Sequence, residues 1–157
     1  MHSAKNSNNL LKEHLKELLR GGFAPVVILL REFHFEKAGI VLDGLPFSAY
    51  SLLQHMLHRQ QVLLNFMKNP QNYPEVWPDA YWPENPVPES PQIWNEAIES
   101  FEQDLGDMIN IIFKGEDELF EVHKNGKTLC WAAMTTFHHN AYTIGQIKAI
   151  GRQLGVW

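Results

Sequence analysis

Residues 128–154 read TLCWAAMTTFHHNAYTIGQIKAIGRQL, and the fold turns on whether they form one helix. We set His139 at zero and advance about 100° per residue. Ala132, Thr136, Thr143, Ile147, Ile150 and Leu154 then fall within roughly one quarter of the wheel, which marks a core-facing stripe. His139 sits at the edge of that stripe, with Thr143 one turn later and Gln146 beside it. His138 and Arg152 take the opposite, wetter side, and Cys130 lies about half a revolution from His139. The segment predicts a long helix from near Thr128 to Leu154, with Gly155 as its terminator.

Working outward, the same periodicity recurs upstream. Ser90-Pro91 reads as N-cap and first helical residue, ahead of a buried face of Ile93, Trp94, Ala97, Phe101, Leu105, Met108, Ile109 and Ile112. Ser48 is an N-cap for a helix to about Lys68, with the stripe Leu52, Leu53, Met56, Leu63, Leu64 and Met67. Leu10, Leu11, Leu15, Leu18 and Leu19 repeat at helical spacing and stop at Gly21-Gly22. Met1 to Asn9 is polar, without the apolar stretch of a secretory signal, and reads as a frayed start to this first helix.

Two stretches resist the pattern. Val26 to Phe35 is too continuously apolar to assign by period; Pro25, Glu32 and Lys37 favour helix, and a strand stays open. Asn125-Gly126 suits a hairpin turn between Phe120–Val122 and Thr128–Leu129, although the adjoining long helix favours a plain loop. Between Pro70 and Pro91 lie seven of the nine prolines, with Tyr73, Trp77, Tyr81 and Trp82. That proline density forbids a continuous helix, while the aromatics argue for a long loop pinned over the helices. Four long helical segments in 157 residues, with one long crossover, predict a single all-α domain, a helix bundle over residues 1–157.

Composition narrows the function. Thirteen basic against 18 acidic residues give a net charge of −5, with no basic stripe of the kind nucleic-acid binders use. Lys12 and Lys16, interleaved with Glu13 and Glu17, read as a solvated face of mixed charge. No apolar run is long enough to span a bilayer, so neither nucleic acid nor membrane is an expected partner. The lone cysteine, Cys130, excludes an intramolecular disulfide, suits a reducing cytoplasm and is a poor candidate nucleophile on its side of the helix.

A histidine on a core face has two readings. It is a satisfied polar residue donating to a backbone carbonyl, or it is a metal ligand, which needs companions from other helices. His55 is the best companion for His139, with His58 at i+3 behind it. His2, His14, His34 and His123 have no patterned neighbours and read as surface residues.

The stretch His139-Asn-Ala-Tyr-Thr-Ile-Gly-Gln-Ile147, closing with Arg152-Gln-Leu-Gly-Val-Trp157, resembles the C-terminal signature of the DinB/YfiT-like superfamily, His-Asn-Ala-Tyr-His-x-Gly-Gln. Leu18-Leu-Arg-Gly-Gly22, Gly44-Leu-Pro-Phe-Ser48 with Leu52-Leu-Gln-His55, and Trp77-Pro-Asp-Ala-Tyr-Trp-Pro83 are similar to further family segments, in order along almost the whole chain. The resemblance implies a bacterial, antiparallel four-helix bundle, often a homodimer, with three histidines holding zinc or nickel. By position the ligands are His55 and His139, while the third position is Thr143. His58 and Gln146 are auxiliary candidates. The resemblance implies a thiol-dependent transferase or a hydrolase with a degenerate metal site, binding metal weakly or not at all. The alternative is a metal-free small-molecule-binding or scaffold member. The aromatics exceed what one small core needs, which fits a homodimer with Trp77 or Trp82 at the rim.

Overall fold

Ser48 starts the helix on which the site is built. Its side chain accepts from the Ser51 backbone N–H at 3.0 Å, and the Ser51 hydroxyl answers to the Ser48 backbone, a reciprocal cap on α4 (Ala49–Lys68). The same Ser48 hydroxyl donates to the Pro86 carbonyl, so the proline-rich crossover is tied to the start of α4. These are features of a computed structural model that describes residues 2–22, 24–71, 73, 81–115 and 118–157, with side chains from residue 7 onward.

The other long helices follow their caps. Thr128 accepts from the Trp131 N–H at 3.0 Å and opens α6 (Leu129–Gln153). Ser90, with Pro91 as first helical residue, opens α5 (Pro91–Lys114), and α1 spans His2–Leu19. The ambiguous Val26 to Phe35 stretch is helical: α2 (Val26–Glu32) and α3 (Phe35–Ala38) are parted by extended backbone at Phe33 and His34. Among the described residues every regular element is helical. The Asn125-Gly126 turn joins no strands; a short 3₁₀ turn, Glu118–Phe120, precedes it.

The helices share one core. α4 packs against α5 and α6, and α1 closes against the same two. All six stripe residues expected on α4 are buried, as is the expected face of α5 apart from half-buried Ile93. No helix among the described residues is long and apolar enough to cross a membrane.

Four expectations need correction. Leu10 and Leu18 are exposed, because α1 turns inward the arc of Leu11, Leu15 and Leu19, and Leu10 and Leu18 lie about 140° and about 60° from its centre at Leu15. Lys12 is buried rather than solvated: its ammonium donates to the Gly115 carbonyl, an otherwise orphaned acceptor at the end of α5. Lys16 keeps its surface pair with Glu13. His123 is half-buried with its ring edge against Phe66, at 5.9 Å between centroids. Cys130 is buried too, since the helix start is wrapped on that side; burial pushes its thiol pKa up, which further disfavours a nucleophile.

Beyond α6 the chain folds back. Gly155 takes a left-handed φ of 67°, and Trp157 lies edge-on to Phe33 while its Nε1–H donates to Glu32 at 2.9 Å. Lys37 donates to the Leu154 carbonyl at 2.7 Å. Gly151 makes room for this return: a Cβ there would stand 2.3 Å from the Trp157 ring and 3.1 Å from Phe33. Gly151→Ala is therefore expected to destabilise the fold by about 1–3 kcal/mol, the usual cost of overpacking. Urea denaturation checks this, and an unchanged midpoint would refute the packing of Trp157 on α6.

Candidate functional site

α4 and α6 bring together the two histidines singled out by the sequence. His55 and His139, 84 positions apart, meet with their Nε2 atoms 3.1 Å from each other and their ring centroids 4.9 Å apart. One Nε2–H donates and the other Nε2 accepts, so the accepting neutral ring carries its proton on Nδ1. Neither Nδ1 makes a hydrogen bond of good geometry among the described residues, though both are buried.

His55 is held from behind. The Trp82 indole stacks on it at 4.0 Å between centroids and 14° between planes, and Phe47 in turn stacks with Trp82 at 5.6 Å. The aromatic crossover thus reaches into the site through Trp82. Arg59 secures the neighbouring part of the loop, its guanidinium donating to the Tyr73 and Tyr81 hydroxyls at 3.2 and 3.3 Å. Trp77 lies outside the described residues.

The pair is electrostatically set to stay neutral. Burial first, then the neighbouring His55 and the Arg59 cation, lower the His139 pKa to about 4. The His55 pKa is also lowered, mainly by burial, against a smaller opposite pull from the Tyr81 backbone. Neutral imidazoles are the form that accepts a hydrogen bond or binds a metal.

A network that the sequence reading missed fixes this geometry. Asn140 donates through Nδ2 to Gln60 Oε1 at 2.9 Å, and Gln60 donates through Nε2 to the Phe101 carbonyl at 2.9 Å. Both side chains are almost wholly buried, and together they join α6, α4 and α5. The one available signal was position: Asn140 follows His139, and Gln60 lies one turn and a half beyond His55.

Of the other candidates, Thr143 is buried beside the pair and its hydroxyl donates to the His139 carbonyl of its own helix at 2.8 Å. Gln146 is half-buried in the adjoining cleft. His58 is exposed and its ring rests against Tyr81 at 5.1 Å, away from the pair. Among the described residues no group of three or more His, Cys, Asp or Glu side chains is placed to hold a metal ion.

The cleft beside His55 has a volume of about 480 Å³, with Phe47, Leu52, Trp82, Thr143, Gln146 and Ile150 among its walls. Across the Phe47–Trp82 stack lies a second hollow of about 470 Å³, walled also by Pro46, Ser51 and Pro86. Both have the size of small-molecule sites. In comparisons with family models, curated proteins and solved structures, nothing matches this chain.

Acid should weaken the fold through His139. The unfolded ring has a pKa near 6.5 and the folded ring one of about 4, so the unfolded state binds the proton more readily. The stabilising contribution of neutral His139 is present above about pH 6.5 and is lost as the pH falls towards 4. Melting temperatures at pH 7 and pH 4.5 are expected to differ more for the native chain than for His139→Gln. Equal differences would refute a buried neutral His139.

Proposed function

We propose that this chain is a DinB/YfiT-like protein, an antiparallel four-helix bundle with a degenerate histidine site, that binds a small molecule without a tightly held metal. One observation carries the reading. The Thr143 hydroxyl, at the third-ligand position, is spent on the His139 carbonyl, so the donor set stops at two imidazoles. A zinc site of the catalytic kind takes three protein ligands and leaves a fourth position open. The residues here do not fit such a centre: a threonine hydroxyl is a poor ligand for a borderline-soft ion, and His58 faces elsewhere. What is left is a neutral imidazole pair beside an aromatic-walled cleft, which suits ligand binding. A lone buried cysteine is compatible with the cytoplasm, the compartment this reading assigns.

A second reading, a metal-dependent thiol transferase or hydrolase with His55 and His139 as ligands, is favoured by the 3.1 Å between the two Nε2 atoms. Two nitrogens bound tetrahedrally to one zinc ion stand about 3.3 Å apart. Metal analysis separates the readings. Purified native protein is expected to carry zinc or nickel well below one equivalent, whereas Thr143→His should raise occupancy. It should also add ~2.7 kcal/mol of stability at a free metal concentration a hundredfold above the dissociation constant. Tight, stoichiometric metal in the native protein would overturn the metal-free reading in favour of the second.

The same family resemblance makes the assembly a proposed two-fold homodimer. Met134 and Tyr142, two turns apart and both well exposed on α6, offer apolar surface left over by the core, with partly exposed Trp82 as a rim candidate. Light scattering at micromolar concentration is expected to give about twice the 18.1 kDa of one chain. A monomer mass that does not rise with concentration would exclude the dimer.

A further inference from the structure

The cleft beside the histidine pair has a composition that selects by charge. Its described walls are apolar or aromatic, from Phe47 and Leu52 to Ile150, and include no carboxylate, ammonium or guanidinium. The polar groups are His55, Thr143, the Tyr142 hydroxyl, which is uncharged at neutral pH, and the amides of Gln146 and Gln153. Thr143 has already spent its proton on the helix. Neither glutamine amide makes a hydrogen bond among the described residues, so each still offers N–H donors and a carbonyl acceptor.

An ionised ligand group gains no counter-charge from these walls while it loses water against the apolar ones, and unpaired burial of a charge is costly. A neutral amide, by contrast, gives and takes hydrogen bonds with a glutamine side chain, and its hydrocarbon body covers Leu52, Ile150 and the Phe47 edge. We infer that the cleft takes an uncharged, largely apolar or aromatic molecule bearing a carboxamide-like head, held by Gln146 next to His55. The inference rests on the metal-free reading above and adds the ligand class to it. It also disfavours strongly ionised thiols as occupants.

The test uses matched pairs that share a ring and differ only in charge. These are indole-3-acetamide against indole-3-acetate, and benzamide against benzoate, titrated at pH 7.5 by calorimetry into protein of measured zinc and nickel content. The expected result is roughly tenfold or greater preference for the amide in both pairs, about what an uncompensated partial burial of charge costs. Gln146→Leu should lose most amide affinity while the far-ultraviolet spectrum and melting temperature stay unchanged. Equal or tighter binding of the carboxylates, or no binding of either amide, overturns the inference. Full metal occupancy of the protein would instead overturn the reading beneath it, so the two failures are told apart by the metal content.

Discussion

Two buried amides hold three helices in register. Gln60 reaches from α4 to the backbone of α5 at Phe101, and Asn140 reaches from α6 to Gln60. In a low-dielectric interior such a chain is strong when complete and costly when broken. A slide or rotation of α6 by one residue would leave Asn140 Nδ2 and Gln60 Oε1 buried without partners, at about 1–3 kcal/mol each. Apolar packing alone imposes no comparable penalty, because leucine and isoleucine stripes re-pack with modest loss. The meeting of His55 and His139 follows from this register, since each lies close along its helix to one member of the tie. The order of causes runs from amides to helix register to imidazole pair.

The long helices were legible because their signals are local. Ser48, Ser90-Pro91 and Thr128 each cap a helix within three residues of themselves, and the stripes of α4 and α5 follow from a 3.6-residue repeat. His55 and His139 were found together because a wheel puts His139 at a core edge and His55 is the best companion on another long helix, a pairing the family resemblance also implies. The misses are of another kind. Lys12, His123 and Cys130 were judged by residue type and angle, yet their burial depends on what non-local chain lies over them. The Gly115 carbonyl that takes the Lys12 ammonium is 103 positions away, and periodicity carries no information at that range. Gln60 and Asn140 escaped notice for the same reason: a buried amide looks like a surface amide until its partner is known. Trp82 was recognised as part of a pinned loop, but its stacking on His55 depends on a path through the prolines that composition does not specify.

Thr143 shows how a buried hydroxyl beside two imidazoles can be satisfied without a partner on another helix. A buried hydroxyl that found no partner would be a liability next to two imidazoles. By bonding to the carbonyl one turn back, Thr143 satisfies itself within its own helix, as Thr136 does with Ala132. The histidine pair is then left to bond through its two Nε2 atoms, which it does across the interface between α4 and α6. The result is a site in which the hydroxyl is bonded along its own helix and the two imidazoles meet through Nε2, set beside walls that are mostly apolar or aromatic.

Trp82 and Phe47 stand between the two hollows as a partition one side chain thick. A change in either side chain would therefore reshape both spaces, of about 480 and 470 Å³, at once. What one hollow can hold is thereby linked, through two aromatic side chains, to the shape of the other.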